Sequence, residues 1–233
     1  MAELSRHRLL TALRIAPTDL RTRATARVLR AYRRELFVFA GESHRYLFHH
    51  HNTTWRNERA IEVPLAARAL ERHRGERTLE VGNVLSNYLG KRHLSGGRDI
   101  IDKYEPAPGV RNIDVLEHDP FEPYGLIVCV STVEHVGWDE APRDAAKATR
   151  AIELMHNWLA PGGELFVTVP LGYHPSLDRR LIDGAPLFDR LGFMRRIDPE
   201  NRWVEARAAE VRGARYGSPY PCANAIAVGL SRS

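Results

Sequence analysis

Two short apolar runs each deliver one carboxylate: Thr78-Leu79-Glu80-Val81-Gly82-Asn83 and, about twenty residues later, Ile100-Ile101-Asp102. The glycine closing the first run permits a tight turn and the close backbone approach that a ligand at a strand's carboxyl end requires. An acid spaced as Asp102 is accepts hydrogen bonds from a ribose diol, so the pair implies an adenosine-containing cofactor. A dinucleotide would also demand G-x-G-x-x-G, which brings a helix N-terminus onto the pyrophosphate. The turn reads Gly82-Asn83-Val84-Leu85-Ser86-Asn87 and has no second or third glycine. That argues against a phosphate cradle.

S-adenosylmethionine has no phosphates, and its positively charged amino acid end would suit Glu80, directly or through a neighbouring backbone group. Downstream, Glu134-His135 follows a third apolar run, Leu126 to Val130. A histidine just past a strand's carboxyl end is well placed as a general base near neutral pH. The competing reading is a histidine that packs on the adenosine or caps the next helix. His174 is the second candidate base or an acceptor-binding residue. Tyr173 and Trp138 offer stacking surfaces for a sugar's apolar face, while Asn52, Thr54 and Trp55 are candidates for a lid over the acceptor. Glu134 and His135 could also hold a divalent metal, completed by Asp139, Asp178 or His174. No metal ligand is assigned, because adjacent residues seldom converge on one ion. The three consecutive residues His49, His50 and His51 likewise diverge too much to form a metal site.

Strands alternating with helices would position these groups. The pattern predicts strands at Thr78 to Gly82, Arg98 to Asp102, Asn112 to Leu116, Leu126 to Val130 and Glu164 to Val169. It predicts helices from about Glu58 to Gly75, at Tyr88 to His93 and from about Asp139 to Leu159, the last stopped by Pro161-Gly162-Gly163. Trp203 to Ala208 and Ala223 to Leu230 would close the sheet. The implied fold is α/β, a doubly wound and mostly parallel sheet. Residues 1–57 read as a helical N-terminal extension or lid, and 58–233 as the cofactor-binding domain. No internal repeat or low-complexity segment interrupts them.

Composition narrows the class. The chain has 233 residues, 43% of them hydrophobic, and a formal charge of +5. It is long enough to bury a full core. Its early arginines, Arg6, Arg8, Arg14, Arg21, Arg23, Arg27, Arg30, Arg33 and Arg34, alternate with Leu9, Leu10, Leu13, Val28, Leu29, Leu36 and Phe37 at helix-like intervals. That pattern favours solvated faces of amphipathic helices over a nucleic-acid stripe. No apolar stretch approaches the roughly 20 residues of a membrane span, and the start has no secretory h-region, so the expectation is a cytoplasmic protein. Cys129 and Cys222 are too few for a disulfide framework, and Cys129 reads as packing.

The ordered motifs resemble the class I S-adenosylmethionine-dependent methyltransferases, from about Glu58 to the C-terminus. Leu79-Glu80-Val81-Gly82 resembles the family's first motif, with Asn83 and Ser86 in the turn after it, and Asp102 its ribose-binding acid. Ile113-Asp114-Val115 resembles the segment meeting adenine, and Ser131 to Val136 the segment after strand four. The resemblance implies a Rossmann-like methyltransferase sheet with S-adenosylmethionine bound by Glu80, Gly82, Asn83, Ser86, Asp102, Asp114, Val115 and Ser131. Gly125 departs from the family, standing where an aspartate is common. Asn57 to Glu62, Gly82 to Ser86, Glu134 to Glu140 and Val169 to Tyr173 further resemble actinobacterial sugar O-methyltransferases of the methylmannose polysaccharide type. This implies methylation of a hydroxyl on a sugar or oligosaccharide. Two alternatives stay open: a methyltransferase acting on another small molecule or on RNA, and a cofactor-binding module without turnover.

Overall fold

The computed structural model describes residues 18–90 and 97–233. Helix α1 (Thr18–Tyr32) leads into a hairpin, β1 (Leu36–Phe39) and β2 (Glu42–Arg45), and then a 3-10 stretch, His51–Arg56. The helical reading of this region therefore needs correction at residues 36–45. Leu36 and Phe37 lie on a strand, where Phe37 alternates with Phe39 on the buried face. Arg6, Arg8, Arg14 and their neighbouring leucines lie outside the described residues.

The regular part follows as α2 (Arg59–Arg72), β3 (Thr78–Val81), β4 (Arg98–Ile101), β5 (Val110–Arg111), β6 (Tyr124–Val130), α3 (Lys147–Asn157) and β7 (Leu159–Pro170). It ends with α4 (Pro175–Asp183), β8 (Arg190–Arg196), β9 (Trp203–Ala206), α5 (Ala208–Val211) and β10 (Ala225–Arg232). The eight-stranded sheet has the order β5-β4-β3-β6-β7-β10-β8-β9. Strands β3 to β7 pair in parallel, and β10 runs antiparallel between β7 and β8. This is the mostly parallel, doubly wound sheet that the alternating pattern implies.

Both faces of the sheet are covered, which is why its central strands read as continuous apolar runs. On β6, Ile127 and Cys129 pack with Ile152 and Met155 of α3, whereas Leu126, Val128 and Val130 pack with Ile61 and Leu65 of α2. Full burial of each such aliphatic side chain contributes about 1.5–3 kcal/mol. Chain order reverses between β3 and β6, since β3, β4 and β5 run outward one way and β6 and β7 the other. A crevice opens at such a switch point, outside the strands' carboxyl ends.

Several boundaries differ from the sequence pattern. The segment from Asp139 to Ala146 is not helical, because its acids turn outward to other partners: Asp139 to His135, Glu140 to Lys147 and Asp144 to Arg150. Strand β7 begins at Leu159 rather than Glu164, as Gly162 and Gly163 exchange backbone hydrogen bonds with Ser233. The expected strand from Asn112 to Leu116 is instead the short β5 followed by a 3-10 turn, Val115–Glu117. Tyr88 to Gly90 are not helical, and the rest of that expected helix falls outside the described residues. Among the described residues, no helix is long and apolar enough to cross a membrane.

Candidate functional site

A cleft of about 260 Å³ lies at the switch point, lined by Gly82, Asp102, Asp114, Val115, Ser131, Thr132 and His135 together with apolar Val81, Ile101 and Ile113. Gly82 has φ +88°, and a Cβ added there would collide with the Thr132 side chain. The tight passage from β3 thus needs glycine for conformation and for space. Beneath the turn, Glu80 is buried and accepts the Val84 and Leu85 N–H groups through Oε1, at 2.8 and 2.7 Å, while Oε2 pairs with Arg98. Burial pushes the Glu80 carboxyl up, against the opposing pull of Arg98 and these N–H groups. Glu80 therefore does not line the cleft; it fixes the turn in the absence of further glycines.

Asn83 and Ser86 also lie off the cleft. Asn83 donates its N–H to Asp102 Oδ2 at 3.1 Å and its amide to Glu105, while the Ser86 hydroxyl accepts from Arg98. Asp102 Oδ1 is filled by the Tyr104 and Glu105 N–H groups, and Oδ2 retains a lone pair for a hydroxyl donor. Asp114 is otherwise engaged. Its Oδ1 accepts from Leu116 N–H, and Oδ2 accepts from Lys103 and Lys147 at 2.8 and 2.5 Å. Burial would raise this carboxyl, but the two lysines outweigh it and hold it down at about 2. What Asp114 and Val115 offer a ligand is the wall they form with Ile113.

Ser131, at the end of β6, has φ +40°, a strained conformation of the kind that concentrates at functional sites. Its N–H is held by the Thr168 carbonyl at 3.0 Å, and its hydroxyl donates to Glu62 Oε1 at 2.5 Å. Its side chain is thus turned away towards α2, although the residue borders the cleft.

His135 sits on a 3-10 turn, Val133–His135, with its side chain about half exposed. Nδ1 lies 2.6 Å from Asp139 Oδ2, which also accepts the Tyr173 hydroxyl at 2.7 Å. Burial would raise the Asp139 carboxyl, but the His135 and Tyr173 hydrogen bonds hold it below its ordinary value. A carboxylate at Nδ1 requires the proton there, which leaves Nε2 as the basic nitrogen of the neutral ring. Tyr173 is pushed up to about 12 by burial and by Asp139, and its ring packs edge-on against His135 with centroids 4.7 Å apart.

The other expected residues are placed differently. His174 is fully buried and caps α4, accepting Leu177 N–H at Nδ1, with burial lowering its pKa. It is a structural cap rather than a base at the cleft. Trp138 stacks on His174 at 4.6 Å and carries the Arg143 guanidinium over its ring, so its faces are already engaged. Thr54 is buried in a local clasp, donating to the Leu47 carbonyl and accepting His49 N–H. Asn52 borders a second cavity, of about 430 Å³, with Asn57, Glu58, Arg59, Tyr216 and Cys222. Arg59, on the cavity, reaches the carbonyl of Ser131, on the cleft, at 3.5 Å.

No protein-family model matches the chain, and no curated protein does. Among solved structures, the chain is similar to the N-methyltransferase NodS from Bradyrhizobium japonicum in complex with S-adenosyl-L-homocysteine. Identity is 15% over 72% of this chain and 86% of that one, with a TM-score of 0.41. The sugar N-methyltransferase KedS8 from a Streptoalloteichus species is similar at 14% identity, over 75% of this chain and 88% of that one, with a TM-score of 0.40. The amino pentose methyltransferase CalS10 from Micromonospora echinaspora shows 23% identity over 46% of this chain and 48% of that one, with a TM-score of 0.34. The functional reading rests on the site's own geometry.

Two groups of functional candidates escape the sequence pattern. Asp139 reads there as the start of a helix or a metal ligand, whereas its partners are His135 and Tyr173. Glu58, Arg59 and Glu62 are charged residues on the otherwise apolar face of α2, and that placement is the signal that could have found them. Among the described residues, no three His, Cys, Asp or Glu side chains gather as a metal site would require.

Proposed function

We propose that the chain transfers a methyl group from S-adenosylmethionine to a hydroxyl of a sugar or oligosaccharide, with His135 as general base. One observation carries the choice of base: His135 borders the cleft with Nδ1 anchored on Asp139 and Nε2 left as the basic nitrogen. The cleft also suits this cofactor. Val81, Ile101 and Ile113 supply an apolar wall for adenine, and Asp102 Oδ2 an acceptor for the ribose. The Val84 and Leu85 N–H groups that a pyrophosphate would need are already given to Glu80. That favours an adenosine cofactor without phosphates.

When bound, the cofactor supplies a methyl group on a sulfonium, displaced in line, so that catalysis depends largely on alignment. A sugar hydroxyl is a poor nucleophile. His135 takes its proton at Nε2 as the new bond forms, and Asp139 stabilises the resulting imidazolium through Nδ1. Tyr173 holds Asp139 in place. In this reading the part of the N-terminal extension that includes Asn52 borders the acceptor side, with 58–233 as the catalytic domain.

The test is transfer of label from methyl-labelled S-adenosylmethionine to a panel of mono- and oligosaccharides, with the methylated position mapped by NMR. An O-methyl product whose formation is lost in His135→Ala supports the reading. Binding of S-adenosylhomocysteine with no transfer to any acceptor would leave a binding module instead, and labelled RNA would support the nucleic-acid alternative.

A further inference from the structure

The second cavity is built between two segments without strand or α-helix. The 3-10 stretch and the residue after it supply Asn52, Thr53, Arg56 and Asn57, and the loop between α5 and β10 supplies Tyr216 and Cys222. At about 430 Å³ it falls within the size range of small-ligand sites. Its two walls are tied to each other by buried groups. Arg196 Nη1 donates to the Arg56 carbonyl on one wall and to the Pro221 carbonyl on the other, at 3.0 and 3.1 Å. Glu58 adds a second tie by accepting Ala223 N–H at 3.0 Å. Within the loop, Asn224 donates to the Arg215, Tyr220 and Cys222 carbonyls and accepts Tyr220 N–H. Asn52, Thr53 and Cys222 have φ of +52°, +45° and +68°, so strained backbone gathers on this cavity as it does at functional sites. These ties fix the spacing of the walls, and the cavity is preformed.

Tyr216 connects this cavity with the base. Its ring, 40% exposed, meets Tyr173 edge to face with centroids 5.5 Å apart, and Tyr173 in turn meets His135 at 4.7 Å. Gly172 fixes the first of these contacts. At φ +88°, a Cβ added there would stand 2.5 Å from Tyr216 N and 2.6 Å from the Ala214 carbonyl oxygen. The loop bearing Tyr216 therefore packs directly on the turn bearing Tyr173, as only glycine allows. A line of three rings runs from the cleft, which His135 lines, to the cavity, which Tyr216 lines. Each step is comparable to the length of one sugar unit. The Tyr216 ring offers a surface for a sugar's apolar face. Beside it, the Thr53 hydroxyl and the Arg56 guanidinium enter no hydrogen bond or ion pair among the described residues, which leaves their donors for sugar hydroxyls.

We propose that this cavity is a second saccharide subsite: while one sugar unit presents its hydroxyl to His135 Nε2, the adjoining unit rests on Tyr216 beside Asn52, Thr53 and Arg56. The acceptor is then an oligosaccharide rather than a single sugar. This rests on the methyl-transfer reading above and names its substrate class. The subsite contacts a unit that does not react, so its effect falls on KM more than on kcat.

The experiment measures label transfer by the full chain from methyl-labelled S-adenosylmethionine to mono-, di- and trisaccharides of the gluco, galacto and manno series. In at least one series the disaccharide should exceed the monosaccharide in kcat/KM by about tenfold, through KM, from the added contact with Tyr216. Tyr216→Ala should bring that disaccharide to within about threefold of the monosaccharide, while monosaccharide kcat/KM and S-adenosylhomocysteine affinity stay within about threefold of the unmodified chain. Tyr216→Phe keeps the ring and should keep the preference. Arg56→Ala, at an exposed side chain whose guanidinium has no internal partner among the described residues, should reduce the preference in the same direction as Tyr216→Ala. The proposal is overturned if no series gains from the second unit, or if the gain survives both alanine variants. It is also overturned if Tyr216→Ala lowers mono- and disaccharide alike, which would make the tyrosine structural. Failure of the unmodified chain to methylate any saccharide, or to bind S-adenosylhomocysteine, would instead remove the parent reading.

Discussion

The cleft at Gly82 and Asp102 is built from groups whose hydrogen bonds are largely complete within the protein. Glu80 is matched by two N–H groups and Arg98, Asp102 by three N–H groups, and Asp114 by two lysines and an N–H. Around Arg59, by contrast, Glu134 Oε2 is buried with no hydrogen-bond partner among the described residues, although Glu62 is matched by Arg59 and Ser131 and Glu58 accepts the Ala223 N–H. The first arrangement is preorganised, with little left to rearrange on binding. The second bears the desolvation cost of a buried polar atom left unpaired. One region is shaped for a constant partner, and the other retains a group left unmatched.

That contrast can be broken at its most rigid point. Gly82→Ala places a Cβ against Thr132 at φ +88°, and should cost about 3 kcal/mol in urea unfolding and weaken S-adenosylhomocysteine at least tenfold. Near-normal binding would show that the turn is not preorganised as described. At the boundary between the regions, His135→Ala should lower kcat by roughly 100-fold while leaving cofactor affinity unchanged. Retained turnover would remove His135 as the base. Asp139→Asn, acting through His135, should lower kcat by about tenfold and alter the pH profile of kcat, with KM little changed. A merely structural Asp139 would lower stability and leave that profile as it was.

The smallest effect lies on α4, where Asp178 Oδ1 is also buried and unpartnered. Burial raises this carboxyl from 3.8 to about 6. The folded state therefore holds the proton more tightly than the unfolded one, and stability from this group is full below pH 3.8 and lost as pH rises through about 6. Asp178→Asn removes the penalty. Relative to the unmodified chain, it should gain about 1–2 kcal/mol between pH 4 and pH 7.5, after allowance for the group's partial exposure. A gain of the same size at both pH values would contradict the assignment.

The preorganised side was also the more legible in the sequence. Its strands are covered on both faces and spell themselves as Thr78-Leu79-Glu80-Val81 and Leu126 to Val130, and the spacing from Gly82 to Asp102 is set within one strand-turn-strand unit. Strand β8 was missed because Arg190, Arg195 and Arg196 disguise a segment whose Phe193 and Met194 are buried. The hairpin at residues 36–45 reads as helix because its alternation spans only four residues a strand. Around Arg59 and His135 the meaning of each residue depends on tertiary meeting. Glu62 and Ser131, or Tyr173 and Asp139, are far apart in sequence and have no shared motif. His174 looked chemical for the same reason: nothing local reveals that its ring lies beneath Trp138.

The claim on which the rest depends is that the cleft at Gly82 and Asp102 holds S-adenosylmethionine. Calorimetric titration of the full chain with S-adenosylhomocysteine tests it most directly, with Asp102→Ala alongside. The account predicts one site per chain and at least tenfold weaker binding in the variant, from loss of the ribose acceptor. No detectable heat of binding, or equal affinity in both proteins, would contradict it.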